Sequence, residues 1–330
     1  MKPVAEANSA AGLESTDCPN CGAAERATLF EIEDYLYGVE GRFVVRRCVS
    51  CGLVYLSPRP TRAAIGRYYP PSYSPYRPAI QDERNAAMRW MRRRKLVKRR
   101  QAVERHAPRR PGDLLDVGCS TGIFMDEMRS AGWRVTGVEM VREAAEYAHT
   151  RFGLPVVEGD LLEVGLAPQS FDAITLFDVL EHTFEPAAVL HRAAELLRPG
   201  GIVALTLPNW ESLDRRLFGK YWVGFDAPRH LSVFPRDVLV GMLEQAGLRV
   251  TDNRCLFGGY FTCVTSLRTW LRARCPAAAR RLEPLIDFPG VRLPFEPFFM
   301  LMDRIGAGGI RFIVARKPDS RAAHDQRSAS

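Results

Sequence analysis

Residues 114–122 read Leu114-Leu115-Asp116-Val117-Gly118-Cys119-Ser120-Thr121-Gly122. An apolar run of strand length stops at a glycine, and a second glycine precedes the helix-forming stretch Phe124–Ala131. Glycine permits a tight turn and close approach of a ligand to the backbone, and the start of a helix leaves N–H groups unpaired. Downstream, the strand candidates Arg134–Val138, Val156–Val157, Ala173–Phe177 and Ile202–Leu207 alternate with the helical stretches Arg142–Phe152 and Ala187–Leu197. A helix (Arg236–Ala246), a strand (Leu248–Cys255) and, after an apolar, arginine-dotted insertion, a last strand (Ile310–Ala315) complete the series. This alternation predicts an α/β fold: a parallel, doubly wound sheet with helices on both faces.

The chemistry follows the strand ends. Glu139 closes the second strand in Gly137-Val138-Glu139-Met140, where an acid is placed to accept hydrogen bonds from both ribose hydroxyls of a nucleoside. A glycine-rich turn alone is shared by nicotinamide and flavin proteins. The later pattern narrows the choice: Val156-Val157-Glu158-Gly159-Asp160 after strand three, Phe171–His182 across strand four and its loop, and Leu197-Arg198-Pro199-Gly200-Gly201 entering strand five.

Together these motifs resemble the class I S-adenosylmethionine-dependent methyltransferases over about residues 112–255. The resemblance implies a Rossmann-like sheet and an S-adenosyl-L-methionine site. It assigns Gly118 and Gly122 to the backbone cradle, Glu139 to the ribose, Met140 to the adenine face, Asp160 to the adenine amino group and Phe177 to the sulfonium. Asp116, Cys119, Ser120 and Leu161 complete the cofactor-binding set. Ser120 replaces the usual middle glycine of the turn and could aim its hydroxyl at the ligand.

Upstream, Cys18-Pro19-Asn20-Cys21-Gly22 and Cys48-Val49-Ser50-Cys51-Gly52 form two C-x-x-C pairs with strand-like Leu29–Ile32 and Arg42–Arg47 between them. Four thiolates favour tetrahedral zinc in a closed structural site, and a glycine after each pair suits the turn that aims N–H groups at sulfur. An iron site or a redox pair is the alternative. The unit looks like a zinc ribbon. Cys119, Cys255, Cys263 and Cys275 are scattered and read as inert thiols. The expected organisation is a disordered N-terminus (1–16), a zinc-ribbon-like module (17–57), a Pro/Tyr-rich strap without regular elements (58–80), a basic helix (81–110), the core (111–256), an apolar helical insertion (257–306), the last core strand (307–317) and a disordered tail (318–330). A similar order of ribbon, strap and core occurs in bacterial methyltransferases of sugar and polysaccharide biosynthesis, the sugar-nucleotide C-methyltransferases among them.

The net charge of +8 is concentrated. Arg84–Arg110 holds twelve Arg or Lys against one acid, Glu104, so that segment carries +11 and the rest −3. A chain-wide nucleic-acid coat is therefore excluded. The basic helix reads either as a solvated cover over the cofactor site, with Met88, Trp90, Met91, Leu96 and Val97 partly packed, or as an attractor of phosphate. With no signal peptide behind Met1 and no apolar run of membrane-spanning length, a cytoplasmic protein is expected. The insertion, where Arg268, Arg272 and Arg274 flank apolar residues, reads as a lid or dimer face, or as a peripheral contact with an anionic membrane.

Two histidines fall in the loops expected to face the methyl acceptor: His182 after strand four, and His230 in the aromatic loop Trp222–Phe234. His230 is the first candidate for a general base, followed by His182 and Asp178, against the plainer reading of structural histidines. The function expected is methylation of oxygen or carbon on a small acceptor, such as a sugar nucleotide, a polysaccharide or a lipid-linked intermediate, in some cases phosphate-bearing. The alternatives are an RNA methyltransferase docking through ribbon and basic helix, and a non-catalytic binding scaffold. Strand four ends Phe177-Asp178-Val179-Leu180, which is not the Pro-Pro-aromatic signature of exocyclic base N-methylation.

Overall fold

The structure is a computed structural model that describes residues 12–70, 73, 83, 85–256, 259–286 and 294–319. The chain begins with a small antiparallel unit. It consists of β1 (Leu13–Glu14), β2 (Arg26–Glu33), β3 (Arg42–Cys48), β4 (Val54–Leu56) and β5 (Arg59–Pro60). A 3-10 turn (Ile65–Tyr68) and the long helix α1 (Ala86–His106) follow. The core then runs β6 (Asp113–Val117), α2 (Ile123–Ser130), β7 (Arg134–Glu139), α3 (Arg142–Phe152), β8 (Val156–Glu158), β9 (Phe171–Phe177), α4 (Pro186–Leu196) and β10 (Leu197–Pro208). It finishes with α5 (Leu213–Phe218), β11 (Ser232–Val233), α6 (Arg236–Gln245), β12 (Arg249–Cys255), α7 (Gly259–Arg274), α8 (Pro276–Ile286), α9 (Glu296–Arg304) and β13 (Ile310–Arg316).

The central sheet has seven strands in the order β12-β13-β10-β9-β6-β7-β8. Strands β8 to β10 run parallel as expected, but β13 is antiparallel to both β10 and β12, so one edge departs from the all-parallel expectation. A parallel partner for β10 would need a crossover over one face, whereas the chain reaches β13 from the helical insertion. Strand order reverses between β6 and β9, and ligands of doubly wound sheets bind in the crevice outside such a switch point. One face packs Leu115, Val117, Ile174 and Leu205 against α4 and α6, and the other packs Leu114, Ala173 and Ala204 against Val103 of α1 and Met125 and Met128 of α2.

The N-terminal module is not free-standing. Its sheet has the order β11-β4-β3-β2, so the edge strand β11 comes from the core loop before α6: Val54 pairs with Val233 and Tyr55 with Ser232. Ile32, Phe43 and Val45 of the module share a buried cluster with Trp222, Phe225 and Val233. The boundary drawn at residue 57 is thus crossed by a strand pairing.

Three further expectations need correction. Residues 13 and 14, assigned to a disordered N-terminus, form β1 by pairing with β5 inside the stretch read as an irregular strap. A proline at position 60 is tolerated there because the two-residue ladder is an edge. Trp90, read as partly packed, is 59% exposed, and the Arg94 guanidinium lies over its ring. Residues 1–11, most of 71–84, 257–258, 287–293 and 320–330 lie outside the described residues, and with them the rest of the N-terminus, strap and tail.

Candidate active site and metal centre

The turn after β6 is built from backbone in unusual conformations. Gly118, Ser120 and Gly122 all have positive φ (65°, 50° and 75°). At Gly118 an added Cβ would lie 2.6 Å from Val179 Cγ2, so a side chain is excluded by contact as well as by conformation. The Gly118 N–H donates to the Val138 carbonyl at 2.8 Å, and the Ser120 N–H donates to Glu139 Oε2 at 2.7 Å. The other Glu139 oxygen accepts from Val141 N at 2.9 Å. The glycine turn and the acid at the end of β7 are thereby one unit. Burial raises the Glu139 carboxyl above its ordinary value, and these N–H groups oppose the rise.

The remaining cofactor candidates surround this unit in different ways. Met140 is exposed, Leu161 is buried, and Cys119 is buried with its thiol pushed up by burial. Asp116 lies beneath the turn. Its carboxyl is pushed up to about 7 by burial, although the Thr175 hydroxyl donates to it at 2.6 Å. The Phe177 ring meets Phe124 edge-on at 5.1 Å, and the Arg99 guanidinium of α1 lies 5.1 Å from its centre. Asp160 accepts from Leu162 N at 3.0 Å and from Arg62 at 3.1 Å.

Beyond β9, His182 stands on a 3-10 turn (Leu180–His182) and His230 in the loop before β11, their rings edge-to-face at 4.6 Å. His182 Nδ1 lies 3.0 Å from the Arg229 carbonyl and 3.1 Å from the Tyr69 hydroxyl, and His230 Nδ1 lies 2.9 Å from the Gly224 carbonyl. A carbonyl only accepts, so each Nδ1 carries the hydrogen and each Nε2 keeps its lone pair. Burial holds His182 well below the ordinary imidazole value and lowers His230 as well. Glu181 is 1% exposed, its Oε2 has no partner, and burial pushes its carboxyl well above the usual range. Donor atoms of Glu181, His182 and His230 lie within 4.8 Å of one another, which would also suit a cation.

Asp178 is differently engaged. Its φ is 60°, one oxygen accepts from the Thr206 hydroxyl at 3.0 Å, and the other pairs with Arg99 at 2.9 Å. Both of its oxygens are therefore already partnered, one by a hydroxyl and one by a guanidinium.

The four cysteines of the module converge. Sγ atoms of Cys18 and Cys51 are 3.5 Å apart and those of Cys21 and Cys48 3.6 Å, close to the roughly 3.8 Å edge of a tetrahedron with zinc–sulfur bonds of about 2.3 Å. Gly22 N donates to the Cys18 carbonyl at 2.9 Å and Gly52 N to the Cys48 carbonyl at 3.0 Å, with φ of 71° and 80°. The two knuckles are equivalent. Burial disfavours the Cys48 thiolate, but the N–H groups of Cys51 and Ser50 and the neighbouring Cys21 thiol outweigh it and bring the group to about 7.

The sequence does not single out Arg62 or Arg99, and it offers Arg229 only as part of a substrate-recognition loop and Glu181 only as a loop anchor. Arg99 is one cation in a run, and nothing local separates it from its neighbours. Arg229 lies inside the aromatic loop Trp222–Phe234, but two of its partners, Asp34 and Tyr68, lie far along the chain.

The family described as methyltransferase domain matches residues 88–253. The ubiquinone biosynthesis O-methyltransferase of Ralstonia nicotianae is 35% identical over 197 residues, covering 53% of this chain and 82% of that protein. The enzyme of the same name from Proteus mirabilis is 36% identical over 102 residues, 29% of this chain and 42% of the relative. Over the Chromobacterium violaceum relative the figure is 49%, so the chain spans about half the length of several curated relatives. A SAM-dependent methyltransferase of Thermotoga maritima superposes with a TM-score of 0.46 at 18% identity, over 70% of this chain and 94% of that one.

Proposed function

Because the chain belongs to the class I S-adenosylmethionine-dependent methyltransferases, we propose that it methylates a hydroxyl, or failing that an activated carbon, of a small-molecule acceptor held beside His182 and His230. The observation that carries this reading is the pair of imidazoles. Both have Nδ1 committed to a backbone carbonyl and Nε2 free, beside the end of β9 that also bears Phe177. The relatives named for O-methylation in ubiquinone biosynthesis favour oxygen over carbon.

In this reading the Gly118–Gly122 turn receives the amino-acid end of the cofactor, Glu139 the ribose, and Met140, Asp160 and Leu161 the adenine. S-adenosyl-L-methionine held there would supply an electrophilic sulfonium methyl group for transfer to the acceptor oxygen. The Phe177 face suits a cation, as the Arg99 guanidinium resting on it illustrates. His230 Nε2 takes the hydroxyl proton, and His182, packed edge-to-face against it, fixes its ring. Both are neutral at pH 7, the state a base requires. The basic helix is read as a cover over the site, since it commits Arg99 to Asp178 and Arg100 to Glu104 and Glu127. Cys18, Cys21, Cys48 and Cys51 are read as a structural zinc site with no open position.

Titration calorimetry of the zinc-loaded chain with S-adenosyl-L-methionine and with its demethylated product tests this. Saturable binding is expected, weakened about 100-fold or more in Glu139→Ala through loss of charge-assisted hydrogen bonds. Absence of binding by folded protein would leave only the scaffold reading.

A further inference from the structure

Among the described residues the least exposed charged residue is Arg229, whose backbone carbonyl already meets His182. Its side chain is 0% exposed, and its partners are two residues far along the chain, Asp34 and Tyr68, and the nearby Asp226. Nη1 donates to Asp34 Oδ2 at 2.9 Å and to the Tyr68 carbonyl at 2.8 Å. Nη2 donates to Asp34 Oδ1 at 2.7 Å and to Asp226 Oδ1 at 2.6 Å, and Nε donates to Asp226 at 3.1 Å. All five guanidinium hydrogens are thus used. The Tyr37 ring closes one face, 4.5 Å from the guanidinium carbon.

Asp34 is equally committed. It stands at the tip of the β2–β3 hairpin, between the two cysteine knuckles. Its oxygens also accept from the N–H groups of Leu36, Tyr37 and Val39 at 3.1, 2.9 and 3.3 Å. The hairpin tip is therefore folded around its own carboxylate, which presents both oxygens to Arg229 as a fork.

The backbone of this same arginine touches the acceptor side. Its carbonyl is the acceptor for His182 Nδ1. The next residue is His230, and Leu231 N donates to the Glu181 carbonyl at 2.8 Å. Anchoring the Arg229 side chain fixes where that carbonyl points, and the carbonyl decides which nitrogen of His182 carries the hydrogen.

We infer that Asp34 of the cysteine-bounded module is a positioning residue for the acceptor site, acting through the buried guanidinium of Arg229 to hold His182 and His230 with Nε2 free. The module's role is then to complete the acceptor site of the core from a distance of 195 residues along the chain (229 − 34), rather than to dock a separate partner. This rests on the reading of the two histidines as acceptor-side groups, but its test does not need turnover.

The experiment is long-range proton–nitrogen NMR of the imidazoles in the full, zinc-loaded, ¹⁵N-labelled chain, with His182→Asn and His230→Asn used to assign the two spin systems. The wild type is expected to show both rings as single Nδ1–H tautomers. In Asp34→Asn the His182 pattern is expected to move towards the averaged, exchanging one, with cofactor affinity within about threefold of wild type. Asp34→Glu, which keeps the charge, is expected to restore part of the single-tautomer pattern. Should Asp34→Asn not fold, stripping zinc from the wild type with a chelator releases the hairpin without a substitution, and the same loss of tautomer selection is expected. Unchanged His182 and His230 patterns in folded Asp34→Asn, or after the module has been unfolded by zinc removal, would overturn the inference. A catalytic failure of His230→Asn to matter would instead remove the acceptor reading and leave the tautomer result standing.

Discussion

The proposed cofactor side and the proposed acceptor side of this molecule are built by opposite means. On the cofactor side, Gly118, Ser120, Gly122 and Glu139 lie within 22 residues (139 − 118, counting both ends), and their geometry is a matter of backbone conformation and three short N–H bonds. On the acceptor side, the imidazoles are held by Asp34, Tyr68, Tyr69, Gly224, Asp226 and Arg229, side chains and carbonyls drawn from across some two hundred residues. The first kind of site can keep its shape while loops around it change. The second can vary its acceptor only if the network that crosses from the module is kept or replaced as a whole.

That contrast can be broken most strongly at Arg229. Arg229→Met leaves Asp34 and Asp226 buried without a counter-charge, and a loss of about 3–5 kcal/mol in denaturant unfolding is expected. The folded fraction should bind S-adenosyl-L-methionine with affinity unchanged within about threefold. A parallel collapse of cofactor binding would show that the two sides are not separable.

The reverse break is Gly118→Ala. The added methyl meets Val179 at 2.6 Å in a left-handed backbone, and overpacking of this kind costs about 1–3 kcal/mol. Cofactor affinity should fall roughly 5- to 150-fold by calorimetry, while the imidazole spectra stay as in the wild type.

The smallest effect sharpens the comparison through pH. Burial holds His182 and His230 below the ordinary imidazole value, so the folded state resists protons that the unfolded chain takes up near pH 6.5. Stability contributed by the neutral rings is present above about pH 6.5 and is lost as pH falls below it. Replacing both by Asn, whose amide can still donate to the carbonyls, should flatten the decline between pH 6.5 and 5. The change is up to about 1.4 kcal/mol per pH unit for each proton. An unchanged slope would mean that the rings titrate alike in both states.

The same contrast explains what could be read from the sequence. Arg142–Phe152 matches α3 end for end, and the alternation from β6 to β10 is legible because the elements announce themselves by local periodicity, several of them with a glycine just past the end, as at Gly118, Gly153 and Gly159. The cofactor cradle is legible for the same reason. β1, β5 and β11 are two residues each, too short to carry any period, and exist only because partners far along the chain meet them. Likewise His182 and His230 are visible as candidates in loops, but their tautomers depend on Arg229, and Arg229 depends on Asp34. The antiparallel β13 edge escaped because strand direction is set by the route through α7 to α9, not by residues in the strand.

One strand pairing has a consequence for synthesis on the ribosome. Val54 of β4 waits for Val233, 179 residues later (233 − 54), and at about 5–20 residues per second that interval is roughly 10–40 seconds. During it the apolar β4 edge, with Val54, Tyr55 and Leu56 all destined for burial, is an open template for pairing with another nascent chain. Cysteine knuckles that could close on a metal as soon as residue 51 emerges would fix β3 and β4 early and shorten that exposure to one free edge.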